Sequence, residues 1–441
     1  MRKSRETIFV CSRCGNELVK WQGQCPACKE WNSLKEVKDQ RSKIKNFRKT
    51  GDGGKIEEVR LGERTRKERV VYSSQIGEFN RVLGKGIVRG QVILFAGEPG
   101  IGKSTLLTQL IGKVGGLYVA GEESAEQIEM RVERLGIKKD NFSVLEENDI
   151  DRVVEYIRRT KNVYKIGVID SIQAMVSQEA VGQAGSPTQI KEGAFRLINL
   201  AKETGVAMII VGHITKEGEI AGPKLLEHMV DTVLYFEGER GGELRILRVS
   251  KNRFGPSDEV GIFNMTEGGL VDVREPTLAK ASAGNVGSAI TVVMEGSRPM
   301  TVEIQALVTE SFGPMPKRVF SGIDYNRGQL LVAVTQKVLG MPLYKYDVFV
   351  AVTGGIRVED TGADVAVAGA MYSSFKNRPI GGSRAIKADT KSASSPVLMG
   401  EVSLLGEVKK VRSWEKRIKE AKNWGGEVVI INSIMELRQM V

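Results

Sequence analysis

A chain of 441 residues exceeds what one ordinary hydrophobic core sustains, so two or three domains are expected. Its 41% hydrophobic and 27% charged residues exclude pervasive disorder, and 50 glycines against 12 prolines point to many tight turns. The formal charge of +11 favours polyanionic partners, because clustered Lys and Arg neutralise phosphate backbones and release counterions, although a basic surface can equally be merely solvated.

In chain order, the first ten residues are basic but lack the apolar stretch of a signal peptide, and no later segment approaches membrane-spanning length. A cytoplasmic protein with no membrane partner is expected. All four cysteines come next, as Cys11-x2-Cys14, ten residues, then Cys25-x2-Cys28. Two knuckle-like pairs supply four thiolates, the set that closes a tetrahedral zinc shell; a pair of disulfides is the alternative, which a reducing compartment opposes. A shell closed by four thiolates makes the zinc structural, folding a module over residues 1–32 that is too small to fold by itself. Between the pairs, Lys20, Trp21 and Gln22 are candidates to touch a partner or nucleic acid, the alternative being that Trp21 and Trp31 form the module's mini-core. Residues 33–58 are crowded with charge and include Thr50-Gly-Asp-Gly-Gly-Lys55, with little to bury; together with the charged stretch on to Arg69 they read as mobile linker.

Residues 59–272 read as an α/β domain. Val92–Phe95, Leu117–Val119, Ile166–Ile169 and Ala207–Val211 are apolar runs separated by helical patterns, which predicts a mostly parallel sheet covered by helices on both faces. The runs Thr232–Phe236, Glu243–Val249 and Gly261–Asn264 lie closer together and suggest added antiparallel strands.

Gly97-Glu98-Pro99-Gly100-Ile101-Gly102-Lys103-Ser104 fits the phosphate-loop pattern G-x-x-x-x-G-K-[ST], with a strand pattern before it and the helical pattern Thr105–Ile111 behind it. A glycine turn before a helix can match by chance, but here both flanks are correct. Glycines let the backbone fold round phosphates, its N–H groups and the helix N-terminus supply positive potential, Lys103 reaches the terminal phosphates and Ser104 ligates Mg2+. The expected ligand is a nucleoside triphosphate, ATP foremost. Asp170 ends the apolar run Ile166–Ile169, as a carboxylate holding the Mg2+ shell from a strand end would, although any buried strand followed by an Asp turn looks similar. Glu122 and Glu123 follow the strand pattern at Leu117–Ala120; Glu122 is the first choice to activate water, whereas Glu123 fits the start of a helix at Ser124. In Lys251-Asn252-Arg253-Phe254-Gly255, two cations at alternate positions of an extended segment project together, as a phosphate grip or as a solvated strand end.

Taken together, these motifs resemble the bacterial RadA (Sms) family of DNA-repair ATPases over nearly the whole chain: the cysteine module, Gly97–Thr105, Ala120-Gly-Glu-Glu-Ser124, Val168-Ile-Asp-Ser-Ile-Gln173, Val211-Gly-His-Ile-Thr-Lys216 and the distinctive Lys251–Gly255 pentapeptide. The resemblance implies a RecA-like ATPase core, assembled as a homohexameric ring on single-stranded DNA, that extends branched recombination intermediates alongside a RecA-type recombinase or a replicative helicase. By similarity to RecA-type motors, Lys251 and Arg253 would reach a neighbour's terminal phosphate. His213 would sense the phosphate, a satisfied structural histidine being the alternative, and the loop Lys216–Leu226 would face DNA. Residues 273–441 resemble the α+β peptidase domain of the Lon family, from about Ala289 onward. Matching Glu359–Asp364 to the Lon nucleophile segment puts Ala363 at the serine position, or Asp364 if the match slips by one, and Glu415, beside Lys416, at the lysine position. Both members of the Ser/Lys dyad are missing, so the domain reads as a scaffold for ring assembly, with a basic DNA-binding face as a further reading. An ATP-dependent protease and a nucleotide-switched DNA clamp are the rival functions.

Overall fold

The computed structural model describes residues 7–11, 17–18, 20–26, 29–38, 70–213, 223–238, 243–273, 285–313, 315–354, 356–381 and 396–441. These divide into two compact units that interleave along the chain: 238–246, 258–265 and 271–441 form the second, and the remainder the first.

At the N-terminus, β1 (Thr7–Cys11) pairs antiparallel with β2 (Glu17–Leu18) on one side and β3 (Leu34–Lys38) on the other. Strand β3 departs from the linker expected there. Its charged alternation, Leu-Lys-Glu-Val-Lys, reads as solvated, but Leu34 is buried against Cys11 and Cys25, so the module extends past Trp31. Trp21 and Trp31 are 56% and 68% exposed and do not form the mini-core, which is Cys11, Cys25 and Leu34 with Phe9 and Leu18 packed on it. Residues 39–69 of the expected linker lie outside the described residues.

The first unit is built on six parallel strands: β4 (Val92–Gly97), β5 (Gly116–Ala120), β6 (Phe142–Glu146), β7 (Ile166–Asp170), β8 (Ala207–His213) and β9 (Thr232–Glu237). Their spatial order is β9–β4–β8–β7–β5–β6. Both faces of β4 are buried: Val92, Leu94 and Ala96 join the core under one set of helices, while on the other Phe95 packs against Phe79 and Phe236 at ring separations of 6.4 and 5.7 Å. A parallel sheet needs this double cover, which is why the strand reads as an unbroken apolar run.

The covering helices include α1 (Gly77–Leu83), α2 (Lys103–Val114), α3 (Ala125–Arg134), α4 (Ile150–Arg159) and α5 (Pro187–Thr204). Strand β9 corrects one expectation: Thr232–Phe236 joins the sheet parallel to β4, in register Thr232 with Ile93 through Phe236 with Gly97. The segment returning from β8 through the short helix α6 (Pro223–Glu227) makes a crossover, so the close spacing of apolar runs did not signal a hairpin there. Strand β10 (Leu244–Asn252) follows.

In the second unit, β11 (Ser288–Glu295), β12 (Arg298–Glu310), β13 (Arg318–Ser321), β14 (Tyr346–Val352), β15 (Pro396–Leu398) and β16 (Glu427–Val429) form one mixed sheet, ordered β13–β14–β12–β11–β15–β16. Helices α7 (Tyr325–Leu339), α8 (Asp364–Lys376) and α9 (Trp414–Trp424) accompany it. Helix α8 is buried along most of its length, and its residues Val365–Ala368 enter a core with Val302, Ile304 and Val350 of the sheet.

Candidate active site

The site lies at the carboxyl ends of β4, β5, β7 and β8, where loops of an open parallel sheet leave a crevice. Strand β4 delivers the chain into Gly97–Gly102. A Cβ on Gly97 would stand 2.5 Å from the Phe236 carbonyl oxygen, so no side chain fits there. Gly100 and Gly102 take φ of 80° and 109°, values that glycine adopts at little cost, and Gly102 caps α2. The first turn of α2 carries Lys103, Ser104 and Thr105, so unpaired N–H groups and an ammonium share one concavity.

Lys103 is 3% exposed, and its ammonium donates to the carbonyls of Gly97 and Glu98, each at 2.8 Å. Burial lowers its pKa to about 8, against the opposing pull of Asp170, Glu122 and Glu98. These three acids are near enough to act on Lys103. A glycine cradle that excludes Cβ, with a buried ammonium inside it, fits the polyphosphate of a nucleotide.

Glu122 follows β5 and is held from two sides: the Ser171 hydroxyl donates to its carboxylate, and His213 Nε2 stands 3.7 Å away. Its pKa falls to about 2, chiefly through His213, with Ser171 and Lys103 adding to the effect and partial burial opposing it. It is therefore an acceptor at neutral pH. Glu123 instead pairs with Arg131 of α3, whose N-cap Ser124 forms a capping box with Gln127. The neighbouring glutamates thus have different partners.

Asp170 ends β7 beside Ala120 of β5 and accepts a hydrogen bond from the Tyr118 hydroxyl. The peptide joining Asp170 to Ser171 is cis. His213 ends β8 in register with Gly97; its Nδ1 is buried with no hydrogen-bond partner, and its carbonyl lies 3.4 Å from Gln173 Nε2. Ser171 and Tyr118 escaped sequence reasoning. Ser171 belongs to the quoted Val168–Gln173 run, and a tyrosine inside an apolar strand reads as core.

The Lys251–Gly255 pentapeptide is engaged within its own chain. Lys251 Nζ donates to the carbonyls of Glu227 at 2.7 Å, Val230 at 2.8 Å and His228 at 3.4 Å. Burial lowers its pKa, and Arg253 adds to this. Arg253, 57% exposed at its side chain, pairs with Asp231 at 3.4 Å. Asn252 accepts from Thr232 Oγ1 and from the Phe254 N–H, pinning the segment to β9. A Cβ on Gly255 would stand 2.6 Å from the Leu83 carbonyl, which fixes glycine there. Residues 214–222, most of the loop expected to face DNA, lie outside the described residues.

Of the four cysteines, Cys11 and Cys25 share a buried cluster, with Cys11 Sγ 3.2 Å from the Ser33 hydroxyl oxygen; Cys14 and Cys28 lie outside the described residues. Two cysteines buried in one cluster fit part of a thiolate metal shell. In the second unit, Ala363 is 4% exposed and Asp364 is 3% exposed. Asp364 binds Arg327 through both oxygens and accepts from the Val402 N–H at 3.0 Å. Burial raises its pKa, and Arg327 opposes the rise. Glu415 and Lys416 are exposed on α9.

No helix of the described residues is long and apolar enough to cross a membrane. Residues 9–36 match the family described as rubredoxin metal binding domain, and residues 72–277 match the KaiC ATPase family. The N-terminal module is accordingly a zinc ribbon and the first unit a RecA-like ATPase fold. Among solved structures, a KaiC-like protein of Pyrococcus horikoshii is 22% identical, covering 47% of this chain and 100% of that one with a TM-score of 0.40. The RadB recombinase is likewise 22% identical, covering 46% and 99% with a TM-score of 0.38. Among curated relatives, the DNA repair protein RadA of Bacillus subtilis is 42% identical over 437 residues, 96% of this chain and 92% of the relative. That of Campylobacter jejuni is 43% identical over 429 residues, 95% and 92%. With 42–43% identity over 95–96% of its length to these relatives, the chain belongs to the DNA repair protein RadA family.

Proposed function

We propose that this chain is a DNA-dependent ATP hydrolase of recombinational DNA repair, a homohexameric ring that moves on single-stranded DNA and drives branch migration. The observation that carries the hydrolase reading is the gathering of Glu122 and Asp170 at adjacent strand ends beside Lys103 of the first turn of α2, close enough for both carboxylates to act on the lysine ammonium. The glycine cradle of Gly97–Gly102 binds the β- and γ-phosphates through backbone N–H groups, and Lys103 exchanges its two carbonyl partners for phosphate oxygens. Ser104 and Asp170 hold Mg2+, which when bound neutralises charge on the terminal phosphates. Glu122, kept ionised and oriented by Ser171 and His213, accepts the proton of the attacking water. His213, beside Glu122 and in register with Gly97, reports the phosphate's presence to the chain beyond β8. Arg253, the more exposed cation of its pentapeptide, reaches the neighbouring subunit's nucleotide, with Lys251 beside it. The basic charge of the chain and the DNA repair role named for its relatives support DNA as the partner. Cys11, Cys14, Cys25 and Cys28 hold one structural zinc. The second unit resembles a Lon peptidase domain without its dyad and serves assembly.

The test is ATP turnover with and without single-stranded DNA, for the wild type and Lys103→Ala. Turnover should rise with DNA in the wild type and fall by roughly 100-fold or more in the variant, as loss of a preorganised cation does. Equal rates in both proteins sink the hydrolase. Indifference to DNA removes the motor, and DNA binding with negligible turnover favours a nucleotide-switched clamp.

A further inference from the structure

We propose that the Tyr118 hydroxyl fixes the carboxylate of Asp170 for metal coordination, making Tyr118 a positioning residue of the nucleotide site. The inference rests on the hydrolase reading above and adds a part to it. Tyr118 is 0% exposed and sits on β5, where Ala120, two residues on and on the same face, lies opposite Asp170 of β7. Its ring stacks on Phe142 with centroids 5.9 Å apart, so packing locks the side chain along the sheet. At the end of that ring, the hydroxyl donates to Asp170 Oδ2.

Phenylalanine would fill the same apolar space without the cost of burying a hydroxyl. The hydroxyl therefore has a role beyond packing, and its partner is the one carboxylate placed to support the metal. An ionised carboxylate only accepts, so the phenol is the donor of this pair. With Oδ2 engaged by the hydroxyl, Asp170 would keep its other oxygen to support the metal. Outer partners of this kind fix ligand orientation and tune metal affinity. Nearby, Arg131 pairs with Glu123.

The experiment measures binding of a fluorescent ATP analogue to the full-length protein as a function of Mg2+ concentration. Tyr118→Phe removes one oxygen and keeps the ring, so folding is preserved; its thermal melt and its metal-free nucleotide affinity serve as checks. The Mg2+ concentration for half-maximal binding should rise roughly tenfold, with metal-free affinity unchanged. An unchanged Mg2+ midpoint overturns the proposal, as does an equal loss of affinity with and without metal, which marks a merely structural role. Asp170→Asn measured alongside separates the two levels. If that variant keeps the wild-type Mg2+ dependence, the metal role of Asp170 fails; if it loses it while Tyr118→Phe does not move, only the role of Tyr118 fails.

Discussion

The two units each place an acid at the end of a buried element, and they treat it in opposite ways. In the first, Ser171 and His213 stand against Glu122 and the Tyr118 hydroxyl donates to Asp170, beside a glycine cradle and a buried lysine. In the second, Asp364 has both oxygens taken by Arg327 and a backbone N–H, beside an Ala363 that offers no nucleophile. Perturbed carboxyls occur in both places, so perturbation alone does not mark chemistry. What separates them is whether the polar capacity is consumed within the fold or kept for a ligand.

The largest effect that would break this comparison belongs to Glu122. Glu122→Gln should lower ATP turnover by roughly 100-fold or more, as removal of a catalytic base does, while nucleotide affinity stays within about threefold of wild type. A parallel loss of affinity would show that the carboxylate merely shapes the pocket. Next comes Arg327→Ala, which strands Asp364 in a dry site. Breaking a buried pair should cost the second unit about 3 kcal/mol at neutral pH, read by urea denaturation. The sign of its pH dependence follows from the direction of the Asp364 shift. A carboxyl whose folded-state pKa lies above its unfolded value stabilises the fold below the unfolded value, and that contribution is lost as pH rises through the folded value. Losing Arg327 raises the folded value further, so the gap between variant and wild type should widen from pH 5 to pH 8. A gap that narrows over this range would mean that Asp364 is not the stranded group.

Much of the first unit was legible because its signals are local. The loop Gly97–Ser104 lies between a run of buried residues and a helix, and each glycine meets a steric demand of the backbone. Helix α3 likewise carries its start in Ser124 and Gln127. Features set by distant parts of the chain were not legible. The parallel entry of Thr232–Glu237 depends on a crossover, and the strand Leu34–Lys38 depends on pairing with Thr7–Cys11. Tyr118 looks like core until β7 brings Asp170 beside it. Lys251 reads as an outward cation, yet its ammonium finds the carbonyls of Glu227, at the end of α6, and of Val230 beyond it. The Arg327–Asp364 pair joins residues 37 apart in sequence, and no spacing announces it.

The measurement that tests the account most directly follows phosphate and peptide release together in one reaction of the full-length protein with ATP, Mg2+, single-stranded DNA and unfolded casein. The predicted result is DNA-stimulated phosphate release with casein left intact, the armed site working and the Ala363 region silent. Casein cleavage that depends on ATP, or the absence of phosphate release under these conditions, would contradict it.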